Sequence, residues 1–547
     1  MRVISPFRRR RAFGAGLLAL SMALGPASPS QAQSSSGALP SLGDGQGMTL
    51  SAERRMGDRI ARDIYRDPDY LDDPVLVDYL QSIWQPLLGA ARDRGDVPPE
   101  LAERLAWQLM ISRDRRVNAF ALPGGYLGVN LGLIAVTERP EELASVLAHE
   151  LSHVSQRHIA RMMSREERMA PWMVGAMILA ALAAGSNAQA AGAAIAGGTA
   201  AAAQSQLNFS RDMEREADRI GFGVLTGAGF DGYGFVSMFE RLQQASRHND
   251  DGSFPYLRSH PLTGDRMADM RARLPQGPRQ TANAGPVAAA PGGAPGGTDG
   301  PLRLDLPSPD VAGGPVLAGA SSALHSLMAA RARVLSENGP DRMRAWLASG
   351  SAAQATPGER YAAALSALRL GQRDQALTLA QNLRNSVSTE GRPAADALML
   401  ELLLAPKAAG APPAPAAQTA LLAELRDQSL AGTARASVIL GAQAALATGQ
   451  PERAAARLQT WVAAHSRDAL AWQTMSRAQA SQGQTLRAIR AEAEARAAQL
   501  DYSGAAERFR AAQALPAAQR TDGMELAIVD ARRREVEALL RESTRED

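Results

Sequence analysis

Leu143, Val146, Leu147, Leu151 and Val154 recur at the spacing of one helix face. Ahead of them, Thr137-Glu138-Arg139-Pro140-Glu141-Glu142 reads as a helix start. Proline is tolerated in a first turn, and the two glutamates sit where the helix dipole favours negative charge. The pattern predicts a partly buried amphipathic helix reaching roughly Met163. Helical patterning also covers Met48 to Arg66 and Pro74 to Arg92, whereas Trp107 to Ile111 and Phe120 to Val129 read as short strands around a Gly124-Gly125 turn. Downstream, Trp172 to Ala184 is apolar and Gly192 to Ala203 is nearly all small residues. The first run is too short to span a bilayer, and alanine contributes little to insertion. That leaves a buried helical hairpin or a flap over a cleft with peripheral membrane contact. Pro275 to Ala320 is dense in Pro, Gly and Ala, cannot bury a core, and predicts a flexible linker. From Ser322 to Arg541 the chain is alanine-rich and helical, interrupted by a loop at Ala405 to Ala417.

The expected architecture is mainly α. An α+β domain over 45–272 carries a small β-hairpin or sheet, a linker covers 273–321, and an α-helical repeat domain covers 322–545. Within that last part, Gly449 and Gly483 are 34 apart, each is followed five residues later by alanine (Ala454, Ala488), and Trp472 stands eleven residues before Gly483. These offsets resemble the helix–turn–helix tetratricopeptide repeat, where small residues let paired helices approach closely. Gly371 with Ala376 gives a weaker copy, and Asp501-Tyr502 with Ala505 a last one. Such arrays bind peptides or partner proteins; the plainer reading is a helical cap that stabilises the first domain.

Residues 1–32 read as a leader rather than part of the fold. Arg2 and Arg8 to Arg11 form a basic stretch, Phe13 to Leu24 an apolar core, and Ser30-Gln31-Ala32 a small-residue cleavage site. This predicts an exported chain cleaved near Ala32. No cysteine occurs, so neither a disulfide framework nor a lipidated cysteine is available. Without the five leader arginines the formal net charge falls from +3 to −2, which removes the case for nucleic-acid binding. Lys407 is the only lysine, so the arginine content reflects coding bias rather than a binding surface.

The chemistry centres on His149-Glu150-Leu151-Ser152-His153. Two histidines four apart lie one helical turn from each other on one face, so both imidazoles can reach a single zinc ion, and the glutamate between them can take a proton from the attacking water. A catalytic zinc takes three protein ligands, so a third should lie downstream. Glu214-Arg215-Glu216-Ala217-Asp218 supplies Glu214 as a ligand, and Asp218, one turn on, to accept the second ring N–H of a ligand histidine. Alone, this cluster would read as a solvated charge run. His158 is about 180° around a continuous helix from His149 and reads as a packing or hydrogen-bonding residue.

The His149–His153 segment with Glu214 and Ala217-Asp218 resembles the M48 family of zinc metallopeptidases. Asn118 to Tyr126 resembles that family's hairpin, Ser259-His260-Pro261-Leu262 its late histidine motif, and Arg266 stands six residues beyond that histidine. The resemblance spans roughly residues 50–272 and implies a zincin-type domain with one Zn2+ per chain. It implies His149, His153 and Glu214 as ligands, Glu150 as general base and Asp218 behind the ligands. His260 and Arg266 would lie at the cleft near substrate or oxyanion, with His260 also able to fill zinc's open position in a latent state. Asn118, Ala119 and Phe120, on an edge strand, would pair with an extended substrate. Exported family members with repeats imply a periplasmic endopeptidase acting on unfolded or misassembled outer-membrane proteins, its repeats touching the assembly machinery. The alternative is a repeat-based periplasmic chaperone or adaptor whose protease domain is latent.

Overall fold

The computed structural model describes residues 48–165, 211–248, 253–274, 321–406 and 413–544. The predicted leader over 1–32, the segment over 172–203, most of the linker, and residues 407–412 of the 405–417 loop lie outside these residues. The first domain begins with α1 (Leu50–Arg66), capped by Thr49, which accepts the Ala52 N–H at 3.2 Å. α2 (Pro74–Asp93) is capped by Asp73, which takes the Leu76 N–H at 2.9 Å. Both ends are stopped by side-chain acceptors that satisfy orphan N–H groups. A four-stranded sheet follows, in the order β1 (Tyr70–Leu71), β2 (Gln108–Ser112), β4 (Tyr126–Asn130), β3 (Ala119–Leu122). β3 and β4 form the expected antiparallel hairpin around Gly124-Gly125, while β2 runs parallel to β4. β3 is therefore an edge strand.

After α3 (Pro99–Arg104), which precedes β2, a short helix α4 (Leu131–Val136) leads into α5 (Pro140–Ser155), which carries both motif histidines. Every residue from Glu142 to Ser155 is buried, so α5 is a central helix rather than the partly exposed one its pattern predicts. Its polar face meets β3 and a later helix instead of water. The helix also stops earlier than expected. Arg157 adopts a left-handed backbone (φ 52°), and the chain restarts as α6 (His158–Arg165). Arg157 is anchored there by Glu53 at 2.9 Å and by the Met48 carbonyl.

Next come α7 (Arg211–Gly227), α8 (Tyr233–His248), the short α9 (Pro255–Ser259) and α10 (Gly264–Ala272). α7 crosses α5 closely at Gly221, where a Cβ would stand 3.1 Å from the Ala148 carbonyl oxygen and the His149 nitrogen. That approach brings Glu214 and Asp218 over the motif histidines.

The C-terminal part is an array of helices from α11 (Ser322–Leu335) to α22 (Gly523–Thr544). Gly371, Gly449 and Gly483 each sit in a tight turn with positive φ, and the glutamine after each donates back to the carbonyl five residues earlier at 2.8–2.9 Å. This is the Schellman stop that glycine makes easy. Ala376, Ala454 and Ala488 are buried where the next helix packs. This architecture, an α+β domain followed by stacked helices, is thus the one the pattern predicts.

The two parts share one core. An apolar cluster runs from Leu76 and Trp84 through Leu147 to Leu324 and Met328, and on to Leu440. In α11, the buried Arg331 forks onto Asp73 at 2.6–3.0 Å and also holds Glu401 and Tyr361. His325 joins the Tyr79 hydroxyl to the Thr137 carbonyl. Further along, Arg66 meets Asp501 at 2.9 Å and Arg62 donates to the Leu500 carbonyl. Among the described residues, no helix is long and apolar enough to cross a membrane.

Candidate metal centre

α5, α7 and the loop after α9 bring four donors together. One ligand atom from each of His149, His153, Glu214 and His260 lies within 4.8 Å of the others, and all four residues are buried. His149 Nε2 is 2.9 Å from His153 Nε2, 3.3 Å from His260 Nδ1 and 3.5 Å from a Glu214 oxygen. Glu214 Oε1 is 3.5 Å from His153 Nε2 and 3.1 Å from His260 Nδ1. A tetrahedron with bonds of about 2.0–2.1 Å has edges of about 3.3 Å. The spacing and the nitrogen–carboxylate donor set therefore fit one zinc ion. Charge points the same way, because Glu150, Glu214 and Asp218 are all buried here, and buried carboxylates call for a cation.

Glu150 stands beside the donors. Its Oε2 accepts the Ala121 N–H at 2.9 Å, while Oε1 is buried without a hydrogen-bond partner, 3.4 Å from His260 Nε2. Burial pushes its carboxyl above the ordinary range, against the pull of His260 and His149. Burial also opposes charge on His149, but Asp218 and Glu214 outweigh it and push the pKa up to about 9. Glu214 is held well below the usual range: burial would raise it, and His260 and His149 overcome that.

Asp218 Oδ1 lies 2.9 Å from His149 Nδ1, the ring nitrogen turned away from the donors. Arg266 grips Asp218 with Nε at 2.6 Å and Nη2 at 2.8 Å, and its Nη1 serves Glu214 and the Pro261 carbonyl. All three of its nitrogens are thus committed within the protein. Arg266 was expected near substrate or oxyanion; in the structure its fork is spent on carboxylates that surround the donors.

The residues expected to bind substrate divide. The Asn118 carbonyl takes the Asn130 N–H at 3.0 Å, and by alternation Phe120 also turns its backbone to β4. Its ring covers Gly128, where a Cβ would stand 2.0 Å away. Ala119 and Ala121 face the outer edge, and Ala121 is the one that reaches Glu150. Ala121, Tyr256 and Glu216 were not visible as site residues in the sequence. Tyr256 stacks on His260 with ring centroids 4.7 Å apart, and an aromatic four residues before a histidine is too weak a signal to find it.

Residues 79–274 match Peptidase family M48. The chain carries an M48 peptidase domain. Its relatives include the Escherichia coli (strain K12) beta-barrel assembly-enhancing protease, 34% identical over 276 residues, covering 49% of this chain and 54% of that protein. A Vibrio cholerae protein given the same name provisionally is 35% identical over 255 residues, covering 46% of this chain and 51% of the relative. The M48 domain also resembles the mitochondrial metalloendopeptidase OMA1 of Schizosaccharomyces pombe, 30% identical over 172 residues, or 31% of this chain and 48% of that one. The matched regions thus span about half the length of these relatives.

Proposed function

We propose that this chain is an exported zinc-dependent endopeptidase, cutting with Glu150 as general base and held latent by His260. The observation that carries the reading is the convergence of His149, His153 and Glu214 beside the buried Oε1 of Glu150, which accepts no hydrogen bond. Zinc held by those three residues would polarise the scissile carbonyl and lower the pKa of the attacking water. Glu150 takes that water's proton on Oε1 and returns it to the leaving amine. The Ala121 N–H holds the other oxygen, so the carboxylate keeps one orientation through both transfers. Asp218 fixes the His149 tautomer, and Arg266 keeps Asp218 and Glu214 charged and in place. The outer backbone of Ala119 and the Ala121 carbonyl can pair with an extended substrate, the Ala121 N–H being held by Glu150.

His260 stands between donors and base, its Nδ1 among the former and its Nε2 toward the latter. A substrate carbonyl must enter that space, so activity requires the ring to leave it. The names of the E. coli and Vibrio relatives speak of β-barrel assembly, which supports misassembled outer-membrane proteins as the substrate class and the assembly machinery as partner of the helical repeats. The leader over 1–32 supports a periplasmic location. A second reading, a repeat-based chaperone with a latent protease domain, draws on the same His260 contact.

The test is zinc content together with cleavage of an unfolded protein by the purified chain. Glu150→Gln should retain about one zinc and lose at least about 100-fold in cleavage. His260→Ala should raise basal cleavage. Equal cleavage by wild type and Glu150→Gln removes Glu150 as base; unchanged turnover and metal affinity in His260→Ala removes the latch.

A further inference from the structure

We propose that His158 is a positioning residue for the metal ligand His153, and that His153, His158, Glu216 and Arg161 form a relay fixing the tautomer through which His153 binds. The proposal rests on the zinc-ligand reading above. His153 turns Nε2 toward the other donors, at 2.9 Å from His149 Nε2 and 3.5 Å from Glu214 Oε1. A neutral histidine that ligates through Nε2 carries its proton on Nδ1. That Nδ1 lies 2.8 Å from His158 Nδ1. Two neutral ring nitrogens so close share a single proton, so His158 must accept there and carry its own proton on Nε2. Its Nε2 lies 3.0 Å from Glu216 Oε2, which also receives Arg161 Nη1 at 2.8 Å. Donors and acceptors alternate without conflict from the ligand to the surface guanidinium.

The two motif histidines are therefore steadied in different ways. His149 has a carboxylate directly on Nδ1, whereas His153 has a buried imidazole with the carboxylate one step farther out. The break at Arg157 makes this possible. On a continuous helix His158 would lie about 140° around from His153; the left-handed turn swings its ring back, with centroids 4.8 Å apart.

The experiment measures zinc affinity of the full chain by competition with a chromogenic chelator, with circular dichroism to confirm folding. His158→Ala should bind zinc about 10–100-fold more weakly. His158→Asn places an amide oxygen near the position of Nδ1 and should recover to within about threefold of wild type. The relay is overturned if His158→Ala stays within about twofold of wild type, or if His158→Asn is as weak as His158→Ala. Should His158→Ala not fold, Glu216→Ala severs the outer end, and an unchanged affinity there also overturns it. His153→Ala separates the two claims. If zinc binding in wild type does not depend on His153, the ligand reading itself fails; if it does and His158 is silent, only the relay fails.

Discussion

At the scale of single residues, the centre is governed by what its carboxylates lean on. Arg266 contacts both Asp218 and Glu214, each buried, through three nitrogens. Arg266→Ala would leave two buried carboxylates without their guanidinium. Removing one partner of such a pair costs about 3–5 kcal/mol, so the chelator-treated variant should unfold at clearly lower denaturant. Its zinc affinity should fall about 10–100-fold, because Asp218 no longer holds His149. Arg266→Lys should recover only part of this, since an ammonium cannot fork. If cleavage vanished while stability and zinc affinity stayed intact, Arg266 would instead face substrate, as its place in the family pattern suggests. The motif residues themselves were legible because i, i+4 spacing is a local property of a helix. Arg266's true partners were not, since they lie 48 and 52 positions upstream in sequence.

At the scale of elements, the reading of helices held where the period was uninterrupted and failed at one backbone turn. α1, α2 and the β3–β4 hairpin lie where the pattern predicts them. The end of α5 does not, because a left-handed arginine carries no sequence signature, unlike the glycines at 371, 449 and 483. The parallel pairing of β2 with β4 was equally silent. Between domains, one contact has a pH signature. α17 (Arg435–Ala447) starts at Ala434, which has no side chain to cap it, and Asp78 of α2 supplies the acceptor for the Ala436 N–H at 2.7 Å. Burial pushes the Asp78 pKa up to about 6. An acid with a higher pKa folded than unfolded takes up protons on folding, so its stabilising effect is full below the unfolded value near 4 and is lost as pH rises to about 6. Asp78→Asn keeps the acceptor without the charge. It should match wild type in stability near pH 4 and exceed it by about 1–3 kcal/mol at pH 7.5. A variant less stable than wild type at pH 7.5 would show that Arg435 nearby needs the carboxylate charged.

At the scale of the whole molecule, the apolar cluster decides how the chain unfolds. A composition dense in Pro and Gly before residue 321 predicts a tether between independent bodies, yet α11 lies against α4 and α2 and shares their core. Arg331 could not announce this, because an arginine in an alanine-rich helix reads as a surface residue and its partner Asp73 is 258 positions away. Two bodies joined only by a tether would melt separately. Two bodies that share a core, with a buried guanidinium held by Asp73 and Glu401 across it, should melt together. Calorimetry of the intact chain should therefore show one transition. Zinc removal should shift that whole transition down, since a ligand that binds only the folded state stabilises everything coupled to its site. Arg331→Ala strands two carboxylates in the shared core. It should lower stability by about 3–5 kcal/mol and split the single transition in two, with zinc then moving only the component that contains His149 and His153. Two resolved transitions already in the wild-type chain would show that the shared core does not couple the domains.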